Sequence, residues 1–516
     1  MFVHEILTLH SQKDPDRIAL TFEDGTALAW GTLAEATTSV VNTLTDAGLS
    51  RGDRVAFAGR NCLEMFPLYF ACSALGLVFT PVNYRFTPTE IESMFVNSQP
   101  SFVYCADEFN ETMQPARALM ERPENFRLFT FGDVLTWAAS ADGPDFDRGI
   151  DMTGRTEDDV SWICYTGGTT GDPKGVMLTH RNMMSTCLFF ATAARPWRGD
   201  VYLAMGPLFH IALVGPIAYL FLGARVVVMN FEPARALELI AREQVTTTVA
   251  TGTIFKMLVE AQERQPVELK SLRLIEFGGA PISSALAQRA NRLFGCQVAQ
   301  IYGQTEACLP VTYMYPEEYA AFFESGDTES VGSIGKPVTT VRVKIVDDNG
   351  DCVPPGEVGE VAVHGENVMA GYWGRPDLTA LAIRDGWLLT GDLGRLDRRG
   401  YIHLVDRKKD MIISGGENVY SGEVERVIGG FAEVVEAVVV GRPDQHWGEA
   451  VHAVVVLAPG QSCTEDEVRR RCREVLAGYK VPKSVEFVSE LPRLPTGKVA
   501  KSVIKARYGD TPIHSI

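Results

Sequence analysis

The sequence is poor in positive charge and lacks the cysteine spacings of a metal site. Its 48 Lys and Arg residues are outnumbered by 65 Asp and Glu residues, and the net charge of -17 argues against a nucleic-acid-binding surface. The ten cysteines contain no Cys-x-x-Cys pair, so neither a zinc site nor a disulfide framework is predicted. Free thiols are typical of a reducing compartment, and we expect a cytoplasmic protein.

Segments that would target or anchor the chain are also missing. The first residues lack the basic start and the long apolar centre of a secretory signal peptide. One uncharged stretch, residues 201–224, is long enough to suggest a membrane span. Two prolines and three glycines interrupt it, which favours a buried strand, turn and helix. No membrane-spanning segment is therefore predicted.

The sequence does have the composition of a large globular enzyme. A chain of 516 residues exceeds one ordinary hydrophobic core, so at least two domains are expected. Strand patterns such as residues 54–58 alternate with helix signals, and Thr87, Pro88 and Glu90 predict a capped helix start. This alternation predicts an α/β fold. From residue 333 to residue 373, short strands and hairpin turns predict a small β-subdomain of structural role.

A stretch rich in glycine and threonine, residues 165–176, is typical of a phosphate-binding loop. Peptide N–H groups at glycine can approach an anion closely because no Cβ blocks them. Threonine hydroxyls add donors, and a lysine adds a positive charge. The preceding segment, residues 160–165, is predicted to be a strand that leads the loop to a sheet edge. The predicted phosphate-binding residues are Thr166, Gly167, Gly168, Thr169, Thr170, Gly171 and Lys174.

The residue order in this loop is not that of a Walker A motif. It resembles Tyr-Thr-Ser-Gly-Thr-Thr-Gly-x-Pro-Lys-Gly, the phosphate-binding signature of the adenylate-forming superfamily. That superfamily holds acyl- and aryl-CoA synthetases, peptide-synthetase adenylation domains and luciferases. One position differs, since Gly167 stands where serine is usual. The difference removes one hydroxyl and leaves the backbone donors in place.

The resemblance implies nucleotide-binding roles for later segments. In Tyr-Gly-Gln-Thr-Glu, which matches a family motif, Tyr302 would stack on adenine, Thr305 would donate to the α-phosphate and Glu306 would bind Mg2+. Asp392 would bind both ribose hydroxyls, and Arg407 would contact the ribose or a phosphate. The other residues that the resemblance assigns to the nucleotide are Gly278, Gly279, Ala280, Gln300, Ile301, Gly303 and Gln304.

The resemblance also implies a two-domain organisation. Residues 1–408 would form a large ATP- and acid-binding domain of α/β subdomains that includes the small β-subdomain. Residues 409–516 would form a small, mobile α+β lid, with the hinge at Lys409. Asp406 departs from the family, in which this position is usually glycine.

Two segments of the lid carry predicted functions. Lys498 would act with Thr305 and Glu306 in catalysis, its charge bridging the substrate carboxylate and the α-phosphate in the transition state. The channel for the pantetheine arm of CoA would be lined by Gly415, Gly416 and Glu417.

The acid-binding pocket is predicted from a segment near a conspicuous histidine. In the family, the residue that matches His210 borders the carboxylate substrate. The predicted pocket residues are His210, Val214, Gly215, Phe255 and Cys308. This set is largely apolar, which predicts a hydrophobic monocarboxylic acid, aliphatic, aromatic or polycyclic, rather than an amino acid.

Taken together, the motifs predict an AMP-forming acyl-CoA synthetase. Its substrates would be the acid, ATP with Mg2+, and CoA, and we expect a monomer or homodimer. A stand-alone ligase that loads a carrier protein is one alternative, and an enzyme that performs only one half-reaction is another. A nucleotide-binding protein without turnover is disfavoured because Glu306, Asp392, Arg407 and Lys498 are all present.

Overall fold

The computed structural model describes residues 1–166, 173–195, 197–279, 284–493 and 499–508. By its internal contacts the chain divides into two units. The first comprises Met1–Val343 and Val363–Leu388, and the second comprises Lys344–Ala362 and Leu389–Ile516. The domain boundary expected at Lys409 stays a prediction.

The described residues alternate between strands and helices along most of the chain. The strands are β1 Ile18–Phe22, β2 Ala27–Ala29, β3 Arg54–Ala58, β4 Val78–Pro81, β5 Phe102–Ala106, β6 Phe126–Phe129, β7 Val160–Thr166, β8 Lys174–Thr179, β9 Val201–Ala204, β10 Arg225–Val228, β11 Thr247–Thr251, β12 Leu274–Gly278, β13 Gln297–Tyr302, β14 Thr312–Met314, β15 Lys336–Pro337, β16 Val341–Val346, β17 Gly359–Gly365, β18 Gly371–Tyr372, β19 Ile383–Arg384, β20 Trp387–Leu396, β21 Ile402–Arg407, β22 Ile412–Ser414, β23 Glu417–Val419, β24 Val434–Asp444, β25 Gly448–Leu457 and β26 Ser484–Val488. The helices are α1 Glu5–Lys13, α2 Trp30–Asp46, α3 Met65–Leu75, α4 Pro88–Ser98, α5 Asn110–Arg117, α6 Asp133–Ala139, α7 His180–Ala193, α8 Val214–Phe221, α9 Pro233–Arg242, α10 Gly252–Arg264, α11 Ser284–Phe294, α12 Pro316–Ser325, α13 Thr328–Val331, α14 Pro376–Ala382, α15 Ser421–Gly429, α16 Glu465–Arg473 and α17 Lys501–Tyr508. The α/β fold class is confirmed.

The largest sheet of the described residues belongs to the first unit. Its strand order is β15-β14-β13-β12-β11-β9-β10-β1-β2. Strands β11, β12 and β13 run parallel, and their register aligns Thr251 with Gly278 and Gly278 with Ile301. Because the carboxyl ends of parallel strands meet at one edge, the segments that follow these strands emerge side by side.

A second sheet of the first unit carries the predicted phosphate loop. Its strand order is β18-β8-β7-β4-β3-β5-β6. The predicted strand at residues 160–165 is confirmed as β7, which forms an antiparallel hairpin with β8. The predicted helix start is also confirmed, because the Thr87 hydroxyl accepts from the Glu90 amide and the Glu90 carboxylate accepts from the Thr87 amide.

Another sheet joins strands in the order β16-β17-β20-β19, with β21 paired to β20. The second unit also holds a sheet of order β23-β22-β25-β24, with β26 paired to β25. Aliphatic side chains of β24, β25 and helices α15 and α16 form the core beneath that sheet, among them Val424, Ile428, Val439 and Val451, each fully buried. On the other face of the same strands, Val438, Val440 and Val454 are buried in a second cluster, so the centre of the sheet is covered on both sides.

The uncharged stretch at residues 201–224 forms strand β9, a turn and helix α8, as predicted. Val214 and Leu220, near the two ends of α8, are both buried. No helix in the described ranges is long and apolar enough to cross a membrane.

Most of the cysteine thiols are buried. Eight of the ten cysteines are buried, Cys463 is half-buried and Cys352 is exposed. Burial raises the pKa of the Cys308 thiol to about 12. It also raises the pKa of Cys164, to which the charge of Glu306 contributes in the same direction.

One carboxyl group is buried in the middle of the largest sheet. Glu276 lies on β12 with no exposed surface, and the Tyr313 hydroxyl donates to its Oε1 at 2.8 Å. Its Oε2 has no hydrogen-bond partner among the described residues. Burial raises the pKa of Glu276 from 4.5 to about 7, against the opposing effects of the Tyr313 hydrogen bond and the Arg273 charge.

Replacing Glu276 by glutamine should change how stability depends on pH. Because the folded pKa lies above the unfolded pKa, the contribution of protonated Glu276 is complete below pH 4.5 and is lost as the pH rises through 7. Glutamine stays neutral, so the stability of the variant relative to wild type should rise by about 3 kcal/mol between pH 4.5 and 8. Thermal unfolding at both pH values measures this, with exposed Glu268→Gln as control. The same pH dependence in Glu276→Gln and wild type would contradict the assignment.

Candidate active site

The hairpin β7–β8 holds the two ends of the predicted phosphate loop. Thr166, the last residue of β7, is paired with Lys174, the first residue of β8. Gly175 follows in a tight position, since a Cβ there would lie 2.7 Å from the Ile163 side chain. The predicted residues Gly167, Gly168, Thr169, Thr170 and Gly171 lie outside the described residues. The hairpin therefore fixes Thr166 and Lys174 at the base of the loop.

A tyrosine that sequence reasoning assigned to a structural role connects Lys174 with Glu306. Strand β18 pairs with β8, so Tyr372 lies beside the hairpin. Its hydroxyl donates to Glu306 Oε1 at 2.9 Å, and Lys174 Nζ lies 5.6 Å from its ring centroid. Placing residues 371–373 in a separate β-subdomain was therefore wrong, because strand pairing with β8 attaches this segment to the phosphate-loop sheet. Tyr372 is a site residue that the motifs did not signal.

The segment after β13 is fixed by hydrogen bonds to its backbone. The Thr186 hydroxyl donates to the Cys308 carbonyl at 2.6 Å, and the Asn367 amide donates to the Ala307 carbonyl at 2.8 Å. The Glu306 carbonyl accepts from the Met369 amide at 2.9 Å. These bonds position Thr305, which is buried, and Glu306, which is half-buried.

Three predicted nucleotide-binding glycines lie where another side chain would clash or strain the backbone. A Cβ on Gly278 would collide with the Ile301 carbonyl oxygen, and one on Gly303 would lie 2.5 Å from the Leu309 side chain. Gly279 has a φ of 74°, a left-handed conformation that favours glycine. The close packing of β12 on β13 alone explains Gly278, and an adenine contact stays a prediction. Ala280 lies outside the described residues.

The remaining residues of this motif occupy buried or half-buried positions on β13 and after it. Gln300, Ile301 and Tyr302 are buried on β13, while Gln304 is half-buried beyond the strand. Their predicted contacts with the nucleotide remain predictions.

In the second unit, the predicted ribose ligand Asp392 and Arg407, which was predicted to contact the ribose or a phosphate, form an ion pair. Asp392 on β20 and Arg407 on β21 are register partners, and Arg407 Nε lies 2.7 Å from Asp392 Oδ1. Asp392 is buried. Next to it, the Gly391 amide donates to Glu360 Oε1 at 2.9 Å, and Glu360 Oε2 lies 3.0 Å from Lys408 Nζ. The pairing of β20 with β21 thus holds the Asp392 carboxylate next to the Arg407 guanidinium group.

The predicted hinge and CoA-channel residues lie close together in the chain of the second unit. Lys409 lies in a short 3-10 turn, Lys408–Asp410, directly after β21. Gly415 and Gly416 form the two-residue turn between β22 and β23, with φ values of 63° and 85°. The Gly415 amide donates to the Trp447 carbonyl at 2.7 Å. Glu417, which follows the turn, is exposed.

Lys498, the predicted catalytic lysine, lies outside the described residues. The residues that flank this segment, Arg493 and Val499, form an isolated antiparallel bridge.

The predicted pocket residues of the first unit differ in their surroundings. Val214, Phe255 and Cys308 are buried, and Phe255 packs against Phe277 with ring centroids 5.1 Å apart. A Cβ on Gly215 would collide with the Tyr202 hydroxyl, so this glycine allows helix α8 to approach β9 closely. His210 is half-buried in the turn before α8. Their contact with an acid stays a prediction.

The chemistry of Glu306 fits Mg2+. The described residues hold no group of three or more His, Cys, Asp or Glu side chains that could form a metal cage. Mg2+ does not need one, since it is commonly bound by one or two carboxylates together with substrate phosphates and water. Glu306, in the cluster that contains Lys174, could offer such an oxygen ligand, and its binding of Mg2+ stays a prediction.

Comparisons with known proteins agree with these motifs. Residues 7–373 match the AMP-binding enzyme family, and residues 423–498 match the AMP-binding enzyme C-terminal domain. A feruloyl-CoA synthase from an Amycolatopsis species is 38% identical over 489 residues, which cover 94% of this chain and 95% of that protein. The fatty acid–[acyl-carrier-protein] ligase ScoC of Streptomyces coeruleorubidus is 35% identical over 512 residues, which cover 98% and 96% of the two chains.

A solved structure supports the same assignment. ATP-bound MatB from Rhodopseudomonas palustris matches with a TM-score of 0.88 and 31% identity, and the match covers 99% of each chain. The chain therefore belongs to the AMP-binding enzyme family, within the adenylate-forming superfamily, and is an AMP-forming acyl-CoA synthetase.

Proposed function

We propose that the acid that this acyl-CoA synthetase activates is a hydrophobic monocarboxylic acid. The observation that carries the proposal is the apolar character of the predicted pocket, in which Val214, Phe255 and Cys308 are buried side chains without charge. An amino acid would need a carboxylate for its ammonium group, and a second substrate carboxylate would need a cation. None of the five predicted pocket residues supplies an acidic or permanently charged group.

The first half-reaction joins the acid to the nucleotide. A carboxylate oxygen of the substrate attacks the α-phosphorus of ATP, the bond from that phosphorus to the bridging oxygen breaks, and pyrophosphate leaves. Thr166 and Lys174 would bind phosphate oxygens from the base of the loop, and Thr305 would donate to the α-phosphate. Mg2+, when bound, would neutralise phosphate charge beside Glu306. Tyr372 would orient Glu306 through its hydroxyl, 2.9 Å away.

Nucleotide recognition and thiol transfer would use the other predicted residues. Tyr302 would stack on adenine, and Asp392 would accept from both ribose hydroxyls while Arg407 neutralises its charge. In the second half-reaction the thiol sulfur attacks the acyl carbonyl carbon, a thioester bond forms, and AMP leaves with the bonding electrons. The hinge at Lys409 would allow one chain to perform both steps in turn.

A carrier-protein thiol is a candidate acceptor besides CoA. The similarity to a fatty acid–[acyl-carrier-protein] ligase, at 35% identity, favours this alternative. The similarity to feruloyl-CoA synthase, at 38% identity, favours CoA.

We also propose that the enzyme is cytoplasmic and that it is a monomer or a homodimer.

Acid-dependent pyrophosphate release tests the substrate class. The panel contains ferulic acid, indoleacetic acid, a long-chain fatty acid and a polycyclic acid, with an amino acid and a dicarboxylic acid as controls. We expect release with at least one hydrophobic monocarboxylic acid and an acyl-CoA product, identified by mass spectrometry, when CoA is added. Preference for the amino acid or the dicarboxylic acid would contradict the proposed pocket. Acyl-adenylate without thioester would point to a carrier protein, which can then be supplied.

A further inference from the structure

A cluster of polar side chains in the second unit joins strand β21 to helices α15 and α17. The Ser421 hydroxyl donates to Asp406 Oδ1 at 3.2 Å, and the Gly422 amide donates to Asp406 Oδ2 at 3.3 Å. Lys501 Nζ donates to the Ser421 hydroxyl oxygen at 2.8 Å and lies 2.8 Å from Glu425 Oε1. Asp406 is thus connected through one hydroxyl to a lysine on another helix.

The cluster is a packed contact between backbone segments. Ser421 has no exposed surface, and Glu425 Oε1 also accepts from the Val439 amide at 2.8 Å. A Cβ on Gly422 would lie 3.1 Å from the Val405 carbonyl oxygen. The first turn of α15 can therefore approach β21 this closely because residue 422 is glycine.

The cluster joins residues that lie on opposite sides of the predicted hinge in the sequence. Asp406 precedes the predicted hinge at Lys409, whereas Ser421, Gly422 and Lys501 follow it. A change of backbone angles at Lys409 would move the following residues relative to β21 and would break these hydrogen bonds.

Two neighbours of the cluster indicate which half-reaction the state with these hydrogen bonds serves. Asp406 precedes Arg407, the partner of the predicted ribose ligand Asp392. Lys501 begins α17 and follows the predicted catalytic lysine, Lys498, by three residues. The cluster therefore links the chain beside the adenylation lysine to the strand that holds the ribose-binding pair.

We propose that Asp406 is a positioning residue for adenylate formation, which acts by holding Ser421 and Gly422 of helix α15 against β21. The proposal rests on the proposed function, including the roles of Lys409 and Lys498. The Asp406 carboxylate, which stands where the superfamily usually has glycine, would then have a function in this enzyme.

Gly422→Ala tests the proposal without removing a charge. The added Cβ would press on the Val405 carbonyl and separate α15 from β21, while alanine itself favours the helix. We expect adenylate formation to fall by about tenfold, the effect of losing one hydrogen bond to a charged group. Thioester formation from a supplied acyl-adenylate should stay within about twofold of wild type. Gly429→Ala is the matched control, because it lies in the same helix with open space around it.

Asp406→Ala and Asp406→Asn provide an independent test of the same contact. Alanine removes both acceptors and should produce the same selective loss, whereas asparagine keeps one acceptor and should restore part of it. Hydrogen–deuterium exchange of the peptide that contains Gly422 gives a second readout. Its exchange should slow when ATP and the acid bind to wild type and should not slow in Asp406→Ala.

The outcomes separate this inference from the proposed function. The positioning role would be overturned if the Asp406 and Gly422 variants lost both half-reactions equally or lost neither. It would also be overturned if ATP did not change the hydrogen exchange of the wild-type peptide that contains Gly422. The proposed function would stand in each of these cases. Failure of the wild-type enzyme to form an adenylate from any acid would overturn both.

Discussion

Lys498→Ala should slow acid-dependent adenylate formation by about 100- to 1,000-fold, the cost of removing one group that stabilises transition-state charge. Negative charge accumulates on the α-phosphate as the carboxylate attacks, and no neutral side chain can replace the ammonium group. Transfer of a supplied acyl-adenylate to CoA involves no attack on phosphorus, so that step should keep its rate. Rapid-quench measurement of pyrophosphate release and of thioester formation separates the two steps.

Two controls make the Lys498 result specific. Lys270→Ala removes an exposed lysine that pairs only with Glu268 in the described residues, and it should leave both steps unchanged. Lys498→Arg keeps the charge but changes its geometry, so it should recover only part of the adenylation rate. If Lys498→Ala lost both half-reactions equally, a structural role would explain the result better than catalysis.

Lys409→Pro should retain adenylate formation and lose thioester formation by about 100-fold, which corresponds to about 3 kcal/mol of backbone restriction. Lys409 is the second residue of the 3-10 turn Lys408–Asp410. Proline fixes φ near the helical value, which suits the first turn of a helix and removes the freedom of φ that a hinge motion needs. The variant should therefore fold in the described conformation but resist a change of backbone angles at the hinge.

Lys409→Ala separates the backbone effect from the side chain. Alanine keeps the backbone freedom, so thioester formation should remain near the wild-type rate. The Lys409 carbonyl accepts from Lys505 Nζ at 3.2 Å, and neither substitution removes that acceptor. Normal overall turnover by Lys409→Pro would place the hinge elsewhere in the chain.

Signals that are local in sequence predicted several elements of the fold. The helix cap at Thr87 depends on residues within a few positions of one another. The strand predicted at residues 160–165 is observed as Val160–Thr166, one residue longer, and the strand pattern at residues 54–58 is observed as Arg54–Ala58.

Contacts between distant residues were the part that local signals did not predict. Tyr372 and Glu306 are 66 positions apart, and their hydrogen bond depends on the pairing of β18 with β8. Asp406 appeared only as a departure from a family pattern, and its bonds to Ser421 and Gly422 depend on how α15 packs. The burial of the Glu276 carboxyl group likewise depends on the strand order, which places β12 between β11 and β13. Such features follow from register and packing, which no short motif encodes.

The burial of the thiols makes this enzyme convenient for chemical labelling. Only thiolates react readily with maleimides or iodoacetamides, and burial both shields Cys164 and Cys308 and raises the pKa of each. Cys352, which is exposed, should therefore react with a thiol-reactive fluorophore before the other cysteines do. A dye at that position could follow ligand binding in the native sequence, without the replacement of the other nine cysteines that such experiments usually demand.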